Sequence, residues 1–174
     1  MRKRVLAFVL IISMLFYLVP ADMAKAGANT EMNIYAMYLG ESEKGDSVLL
    51  ESKGHYLLVD IGAALHAPAI VRQLNELGVT HVDIMFSHLH SDHIGGNDSN
   101  ITAGLDQLHL MGITVDTLYL PATSNAPLSA RFSSRNAQLQ NFMAGQGCGQ
   151  IVYLNTGDVL QFGDVTGQVI GPVD

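Results

Sequence analysis

Cysteine occurs once in the 174 residues, as Cys148, so no disulfide can form within the chain. A lone cysteine of this kind is more often an inert, buried thiol than a nucleophile. The sequence also lacks internal repeats, low-complexity segments and a Gly-x-Ser-x-Gly motif. These absences exclude repeat architectures and give no support to catalysis by an activated serine or cysteine.

Basic residues are scarce beyond the N-terminus. Four of the 9 lysines and arginines, and one of the 16 acidic residues, lie in residues 1–26, which leaves 5 basic residues, 15 acidic residues and a net charge of −10 in residues 27–174. No cluster of lysine and arginine follows residue 26. Such a surface repels polyanions unless metal ions or a local basic patch compensate. The composition therefore disfavours strong nucleic-acid binding by this part of the chain.

Long apolar runs are absent except at residues 5–19, a predominantly apolar run of 15 residues that follows a basic stretch at residues 2–4. Residues 24–26 supply the small-x-small pattern that a signal peptidase accepts. A membrane-spanning helix usually needs about 18 or more apolar residues. We therefore expect residues 1–26 to be a cleaved secretory signal and residues 27–174 to be a domain that acts outside the cytoplasm, with no stable membrane partner. An uncleaved N-terminal anchor is the alternative.

Hydrophobic residues make up 48% of the chain and charged residues 14%, which is enough apolar material for a packed core. Period-two alternation and short apolar runs predict strands, and apolar residues three and four apart predict helices. The expected strands are 34–39, 47–52, 56–60, 82–86, 115–120, 151–154, 159–162 and 165–170. The expected helices are 68–77, 102–110 and one that runs from a cap at Ser133 or Ser134 to about Ala144. This alternation predicts an α/β fold.

The segment at residues 87–97, which we call the metal loop, directly follows a predicted buried strand. It begins with Ser87-His88-Leu89-His90-Ser91-Asp92-His93. Residues two apart in extended backbone point the same way, so His88 and His90 can reach one cation. A turn at Ser91 then lets Asp92 and His93 face a second cation. Imidazole and carboxylate ligands suit zinc, manganese or iron, and α/β proteins place their sites at the carboxyl ends of strands.

A strand followed by SHLHSDHIGG resembles the signature of the metallo-β-lactamase superfamily, whose metal loop reads His-x-His-x-Asp-His. Other segments are similar to that family's strand ending in Asp-x-Gly, to the strand before its metal loop and to the end of its first αβ half; they are residues 58–62, 81–87, 157–158 and 169–172. Residues 45–50, ahead of Asp60, are similar to the branch that contains ComEC-type DNA-uptake domains and their secreted relatives. The resemblance covers residues 32–172. It implies an αββα sandwich, of which this chain supplies mainly the first αβ half.

The same resemblance implies two divalent cations, zinc in first place and manganese or iron as alternatives. His88 and His90 would bind the first cation, and Asp92 and His93 the second. Asp92 would also be catalytic, because it would orient the nucleophile or accept its proton. Asp60 would hold the metal loop by hydrogen bonds. Two cations about 3.5–4 Å apart would lower the pKa of a shared water to about 7, and the resulting hydroxide would attack phosphorus or a carbonyl carbon.

Two features depart from the family. ComEC-type domains often carry Asp where His90 stands. The family's third histidine of the first metal, its bridging aspartate and its last histidine have no counterpart here, since the only histidine after His93 is His109, in the middle of a predicted helix. The resemblance therefore implies that this sequence is an N-terminal portion and that the remaining ligands lie beyond residue 174.

Three functions are consistent with these observations. The first is a secreted metallohydrolase that uses a metal-bound hydroxide on phosphodiesters, nucleic acid included, which the branch resemblance favours. The second is a hydrolase of amide, lactone or thioester bonds, including those of β-lactams. The third is a non-catalytic metal-binding or interaction module that keeps the fold but has lost activity. A structural metal site that only holds a loop is disfavoured, because closed structural zinc sites favour cysteine. Four further histidines are expected to be ordinary surface or partly buried residues: His55, His66, His81 and His109.

Overall fold

A computed structural model describes residues 31–40, 45–97, 99–122, 130–146 and 149–170, with the side chains of residues 130–132 left out. The predicted signal at residues 1–26 and Cys148 lie outside the described residues. Among the helices within these ranges, none is both long and apolar enough to cross a membrane.

Six strands form one mixed sheet in the order of the sequence, β1-β2-β3-β4-β5-β6. The first three strands pair antiparallel, and the pairs β3–β4, β4–β5 and β5–β6 are parallel. The strands are β1 (Asn33–Ala36), β2 (Val48–Ser52), β3 (His55–Val59), β4 (His81–Met85), β5 (Thr114–Pro121) and β6 (Gln150–Leu154). A separate antiparallel hairpin follows, formed by β7 (Val159–Phe162) and β8 (Val165–Gln168).

Each parallel pair of strands is joined through a helix, because parallel neighbours need a crossover connection. The helices are α1 (Ala67–Glu76), α2 (Ala103–Leu110) and α3 (Ala130–Gly145), and a 3₁₀ turn (Ala64–His66) precedes α1. The mixed sheet with helical crossovers confirms the predicted α/β class.

The core lies between the sheet and its helices. Helix α1 buries residues three and four apart, at Ala67, Ile70, Val71 and Leu74, which is the spacing of one helical face. Sheet residues such as Leu58, Ile84 and Leu118 are fully buried against the same cluster. This rigid layer fixes the carboxyl ends of the parallel strands β3 and β4 side by side. Asp60 follows β3, and the metal loop follows β4, so the sheet brings them together.

Strand β1 ends at Ala36, before the end of the predicted segment 34–39, and the chain beyond it contacts α1. The side chain of Gln73 forms hydrogen bonds with both backbone groups of Tyr38. Its Oε1 accepts from the Tyr38 N–H at 2.8 Å, and its Nε2 donates to the Tyr38 carbonyl at 2.8 Å. The Met37 N–H still donates to the Ser47 carbonyl at 3.0 Å, so the backbone groups of Tyr38, one residue on, point away from β2 and bond to Gln73.

Helix α3 begins at Ala130, before the cap predicted at Ser133 or Ser134. Both serines lie inside the helix and are exposed. The Oγ of Ser134 accepts a hydrogen bond from Gln138 Nε2, four residues on, at 3.3 Å. A serine inside an exposed helical face costs only a few tenths of a kcal/mol, up to about 0.7, relative to alanine, so its capping preference does not decide where this helix starts.

Candidate metal centre

The metal loop reverses direction directly after His90. The N–H groups of His93 and Ile94 both donate to the His90 carbonyl, at 3.1 Å each, and the Gly96 N–H donates to the Ser91 carbonyl at 2.8 Å. This tight turn places His93 close to His88: their ring centroids are 4.1 Å apart. The turn predicted at Ser91 is thus present, and it folds the three histidines toward one another.

Backbone hydrogen bonds fix the loop to the segment between β3 and α1. The N–H of Ile61 donates to the His93 carbonyl at 2.8 Å, and the N–H of Gly95 donates to the Gly62 carbonyl at 2.8 Å. A third bond runs from the Ala64 N–H to the Gly96 carbonyl at 3.2 Å. The loop is therefore held on a scaffold that begins at the end of β3.

Gly45 lies where any side chain would collide with this scaffold. A Cβ at this position would overlap the carbonyl oxygen of Asp92 and lie 2.8 Å from the Cα of Gly62. Its backbone also has a φ of +89°, which side chains rarely adopt. Glycine is the residue that fits beside the metal loop here.

Replacing Gly45 with alanine is therefore expected to lower the free energy of unfolding by more than about 1 kcal/mol, the size of an unfavourable backbone conformation alone. Urea unfolding followed by circular dichroism measures the change. The matched control is Gly40→Ala, because Gly40 has a φ of +91° but nothing within 4 Å of the added Cβ. Equal losses in the two variants would show that crowding against the metal loop contributes nothing.

Asp60 is the buried residue to which the loop is attached. Asp60 is only 4% exposed, and its backbone φ of +57° is unusual for a residue other than glycine. One carboxylate oxygen accepts the Ser87 N–H at 2.8 Å. The other accepts the Ser87 hydroxyl at 2.6 Å and faces His93 Nδ1 at 2.8 Å. The unusual backbone conformation thus aims one carboxylate at both ends of the histidine motif.

The contact with Asp60 determines which ring nitrogen of His93 is available to a metal. A carboxylate only accepts hydrogen bonds, so His93 Nδ1 must carry a proton in this contact. In the neutral ring the other nitrogen, Nε2, then carries no proton and can bind a metal. A carboxylate–histidine pair of this kind typically orients a metal-ligating imidazole.

His88 and His90 face each other through the nitrogens that a shared cation would use. His88 Nε2 lies 3.1 Å from His90 Nδ1, and the two rings meet edge to face at a centroid distance of 4.7 Å. Burial, followed by the nearby His93 and His90, lowers the pKa of His88, while Asp60 and Asp92 act in the opposite sense. The lowered pKa favours the neutral imidazole, which is the form that binds metals.

The predicted ligands are brought together to different degrees. Donor atoms of Asp60, His88 and His93 lie within 4.8 Å of one another, and His90 joins them through its contact with His88. Asp92 is half-buried in the same turn, but it does not belong to that group of three. Ligation by His88, His90, Asp92 and His93 stays a prediction.

Arg135 is a contact of the metal loop that the sequence did not indicate. Its guanidinium donates from α3 to the carbonyl of Leu89, the residue between His88 and His90. It is half-buried, and among the described side chains it is the only lysine or arginine with a hydrogen bond to the loop. The two residues are 46 apart in sequence, and no local pattern signals such a contact.

His66 corrects the expectation of an ordinary surface or partly buried histidine. Its side chain is fully buried beside Gly62, and its Nδ1 accepts the N–H of Ala63 at 2.9 Å. Its Nε2 has no hydrogen-bond partner among the described residues. Burial lowers the pKa of His66 below its ordinary 6.5. By contrast, His55 and His109 are exposed, and exposed His81 pairs with Asp116 at 3.0 Å.

This burial predicts a loss of stability in mild acid. Because the pKa of His66 is lower in the folded state, the unfolded chain binds more protons as the pH falls below about 6.5, and the free energy of unfolding decreases toward the folded pKa. Urea unfolding at pH 7.5 and pH 5.5, with a chelator present, measures that slope. His66→Asn is expected to flatten it, since the Asn Oδ1 can still accept the Ala63 N–H. His109→Asn, at an exposed histidine, should keep the wild-type slope; an unchanged slope in His66→Asn would contradict the assignment.

These observations define an α/β domain with a histidine-rich, carboxylate-supported candidate metal site at the carboxyl ends of its parallel strands. Residues 42–99 match the family model described as the metallo-beta-lactamase superfamily. The matched segment contains Asp60 and the whole metal loop, and it confirms the resemblance to the superfamily, whereas the ComEC-type branch and the N-terminal portion stay predictions. Members of the superfamily are metal-dependent hydrolases. No curated protein matches the chain.

Several solved structures are similar in fold. MEM-A1, a subclass B3 metallo-beta-lactamase from a soil metagenome library, is 19% identical over 77% of this chain and 50% of that chain, with a TM-score of 0.46. A metallo-beta-lactamase of Cronobacter sakazakii is 21% identical over 76% of this chain and 50% of that one, with a TM-score of 0.44. A diphosphatase from the PhnP family is 14% identical over 75% and 53%, with a TM-score of 0.44. The chain thus spans about half the length of these proteins.

Proposed function

We propose that this protein is a secreted, metal-dependent hydrolase and that its preferred substrates are phosphodiesters. The observation that carries the proposal is the arrangement of the three histidines of the metal loop. His88 Nε2 and His90 Nδ1 face each other at 3.1 Å, and His93 is oriented by a buried carboxylate. A histidine cluster that merely packs against the surface has no need of a buried aspartate that fixes one of its tautomers.

The spacing of the donor atoms fits a transition metal. Zinc–nitrogen bonds of about 2.0–2.1 Å in a tetrahedral site separate two ligand nitrogens by roughly 3.3 Å. The His88–His90 nitrogen distance of 3.1 Å is close to that value. Imidazole and carboxylate donors together suit zinc, with manganese or iron as alternatives. We propose two divalent cations, with His88 and His90 at the first and Asp92 and His93 at the second.

The protein's own residues position the reaction. Asp60 fixes the orientation of His93 and, through the Ser87 N–H and hydroxyl, the start of the metal loop. Asp92, half-buried in the turn, is proposed to orient the nucleophilic water or accept its proton. Divalent cations, when bound, would lower the pKa of water to about 7 and stabilise developing negative charge.

Charge supports a small anionic substrate over a long polyanion. Arg135 brings a guanidinium to the backbone of the metal loop, and guanidinium groups recognise phosphate oxygens in a bidentate geometry. The net charge of −10 in residues 27–174 repels extended polyanions. We therefore propose phosphodiesters as the substrate class, with nucleic acid as a separate arm of the test.

The test uses the full-length protein loaded with zinc or manganese. Turnover of bis-p-nitrophenyl phosphate is compared with turnover of nitrocefin, an acyl-lactone and single-stranded DNA. We expect about two metal ions per chain and phosphodiester turnover that chelation removes. Faster turnover of nitrocefin or the lactone would move the protein to the alternative class of amide and lactone hydrolases. Metal content near zero with retained phosphodiesterase activity would contradict the mechanism itself.

Secretion is part of the proposal and has its own test. Residues 1–26 carry the features of a signal peptide, so the exported protein should begin near Gly27. N-terminal sequencing of protein recovered outside the cytoplasm measures this. A mature protein that retains residues 1–26 in the membrane fraction would support the uncleaved anchor instead.

A further inference from the structure

Ser87 lies between the two groups that define the metal centre. Its hydroxyl is 2.6 Å from one carboxylate oxygen of Asp60 and 3.0 Å from Nδ1 of His88. Its backbone N–H donates to the other oxygen of the same carboxylate at 2.8 Å. Ser87 is itself exposed, so it is not needed to fill the core.

The hydroxyl has one proton to donate, and the chemistry of Asp60 determines where it goes. A carboxylate only accepts, so the short contact requires the Ser87 hydroxyl to donate to Asp60. The Ser87 oxygen is then left as the acceptor for His88 Nδ1, which must carry a proton. In the neutral ring this leaves His88 Nε2 unprotonated, and Nε2 is the nitrogen that faces His90 at 3.1 Å.

We propose that Ser87 is a positioning residue: its hydroxyl donates to Asp60 and its oxygen accepts from His88 Nδ1. This contact fixes the His88 tautomer that presents Nε2 to the first metal. Asp60 then orients two imidazole rings at once: that of His93 by direct contact and that of His88 through Ser87. The tautomer follows from the contacts alone, whereas its use in metal binding rests on the proposed function.

Nuclear magnetic resonance of the metal-free protein tests the tautomer. Two-bond proton–nitrogen spectra of the histidine rings distinguish a proton on Nδ1 from one on Nε2. We expect the Nδ1-protonated form for His88 in the wild type and in Ser87→Thr, which keeps the hydroxyl. In Ser87→Ala the acceptor is gone, and we expect the Nε2-protonated form to become populated. Wild-type tautomer in Ser87→Ala, or loss of it in Ser87→Thr as well, would overturn the proposal.

Zinc affinity, measured by competition with a chromophoric chelator, tests the consequence. Loss of a residue that orients a metal ligand typically weakens binding 10- to 100-fold, and we expect a loss in that range for Ser87→Ala. Ser87→Thr should bind close to wild type, and Ser134→Ala, at an exposed serine of α3, should be unchanged. If the wild type binds no zinc and hydrolyses nothing, the proposed function fails, and the tautomer measurement still decides the role of Ser87.

Discussion

Replacing His90 with alanine is expected to remove metal from the first site and to reduce hydrolysis below detection. His90 Nδ1 is one of the two nitrogens that face each other at 3.1 Å, so its removal leaves His88 as the only loop ligand of that cation. The loss should exceed the 10- to 100-fold change that follows removal of an outer, orienting residue. The side chain of His90 is exposed, so its replacement should leave the folded core intact.

Metal content by mass spectrometry and turnover of bis-p-nitrophenyl phosphate measure this prediction together. His109→Ala is the matched control, because His109 is also exposed but lies on α2, outside the metal loop. It should keep both metal and turnover. If His90→Ala retained the wild-type metal content, the assignment of the first site would be wrong.

The strongly periodic elements could be predicted from the sequence. The strand at residues 159–162 and the face of α1 follow from local alternation and helical spacing, and the structure has both. The end of β1 at Ala36 could not be predicted, because the local pattern of residues 34–39 does not show where pairing with β2 stops or that Tyr38 bonds to Gln73, 35 residues away. The start of α3 at Ala130 likewise contradicted the local preference of serine for helix caps.

The candidate metal site, like the fold, could be predicted from the sequence only in part. The histidine motif is contiguous, so its spacing alone predicts that the imidazoles converge. The contacts that orient them join residues far apart in sequence: Asp60 lies 33 residues from His93, and Arg135 lies 46 residues from Leu89. Asp60 was indicated only through the family resemblance. The burial of His66 had no signal, since its neighbours in sequence do not show which surface covers it.

Substitution of Asp60 by asparagine is expected to affect both predicted metal sites at once. Asparagine tolerates the positive φ of +57°, so the backbone conformation is retained. Its amide oxygen can still accept the Ser87 N–H. Its NH₂ group then occupies the position that receives the Ser87 hydroxyl and His93 Nδ1, and it can accept neither.

The His93 Nδ1 donor, on a side chain only 17% exposed, would lose its acceptor at a cost of about 1–3 kcal/mol, so Asp60→Asn should unfold at markedly lower urea concentration. Stability alone does not separate a structural role from an orienting one, but its dependence on zinc does. A metal that binds only the folded state stabilises it by an amount that grows with the ratio of free metal to Kd. Zinc should therefore raise the melting temperature of the wild type and leave that of Asp60→Asn almost unchanged.

Asp106→Asn is the matched control for Asp60→Asn. The Asp106 carboxylate also accepts two side-chain hydrogen bonds, from Thr102 at 3.1 Å and Asn100 at 3.2 Å, but it lies on α2. Its loss should lower stability and keep the full response to zinc. A zinc response in Asp60→Asn as large as in Asp106→Asn would mean that the histidines hold metal without the carboxylate. Asp60 would then be a structural residue whose unusual backbone conformation serves the fold alone.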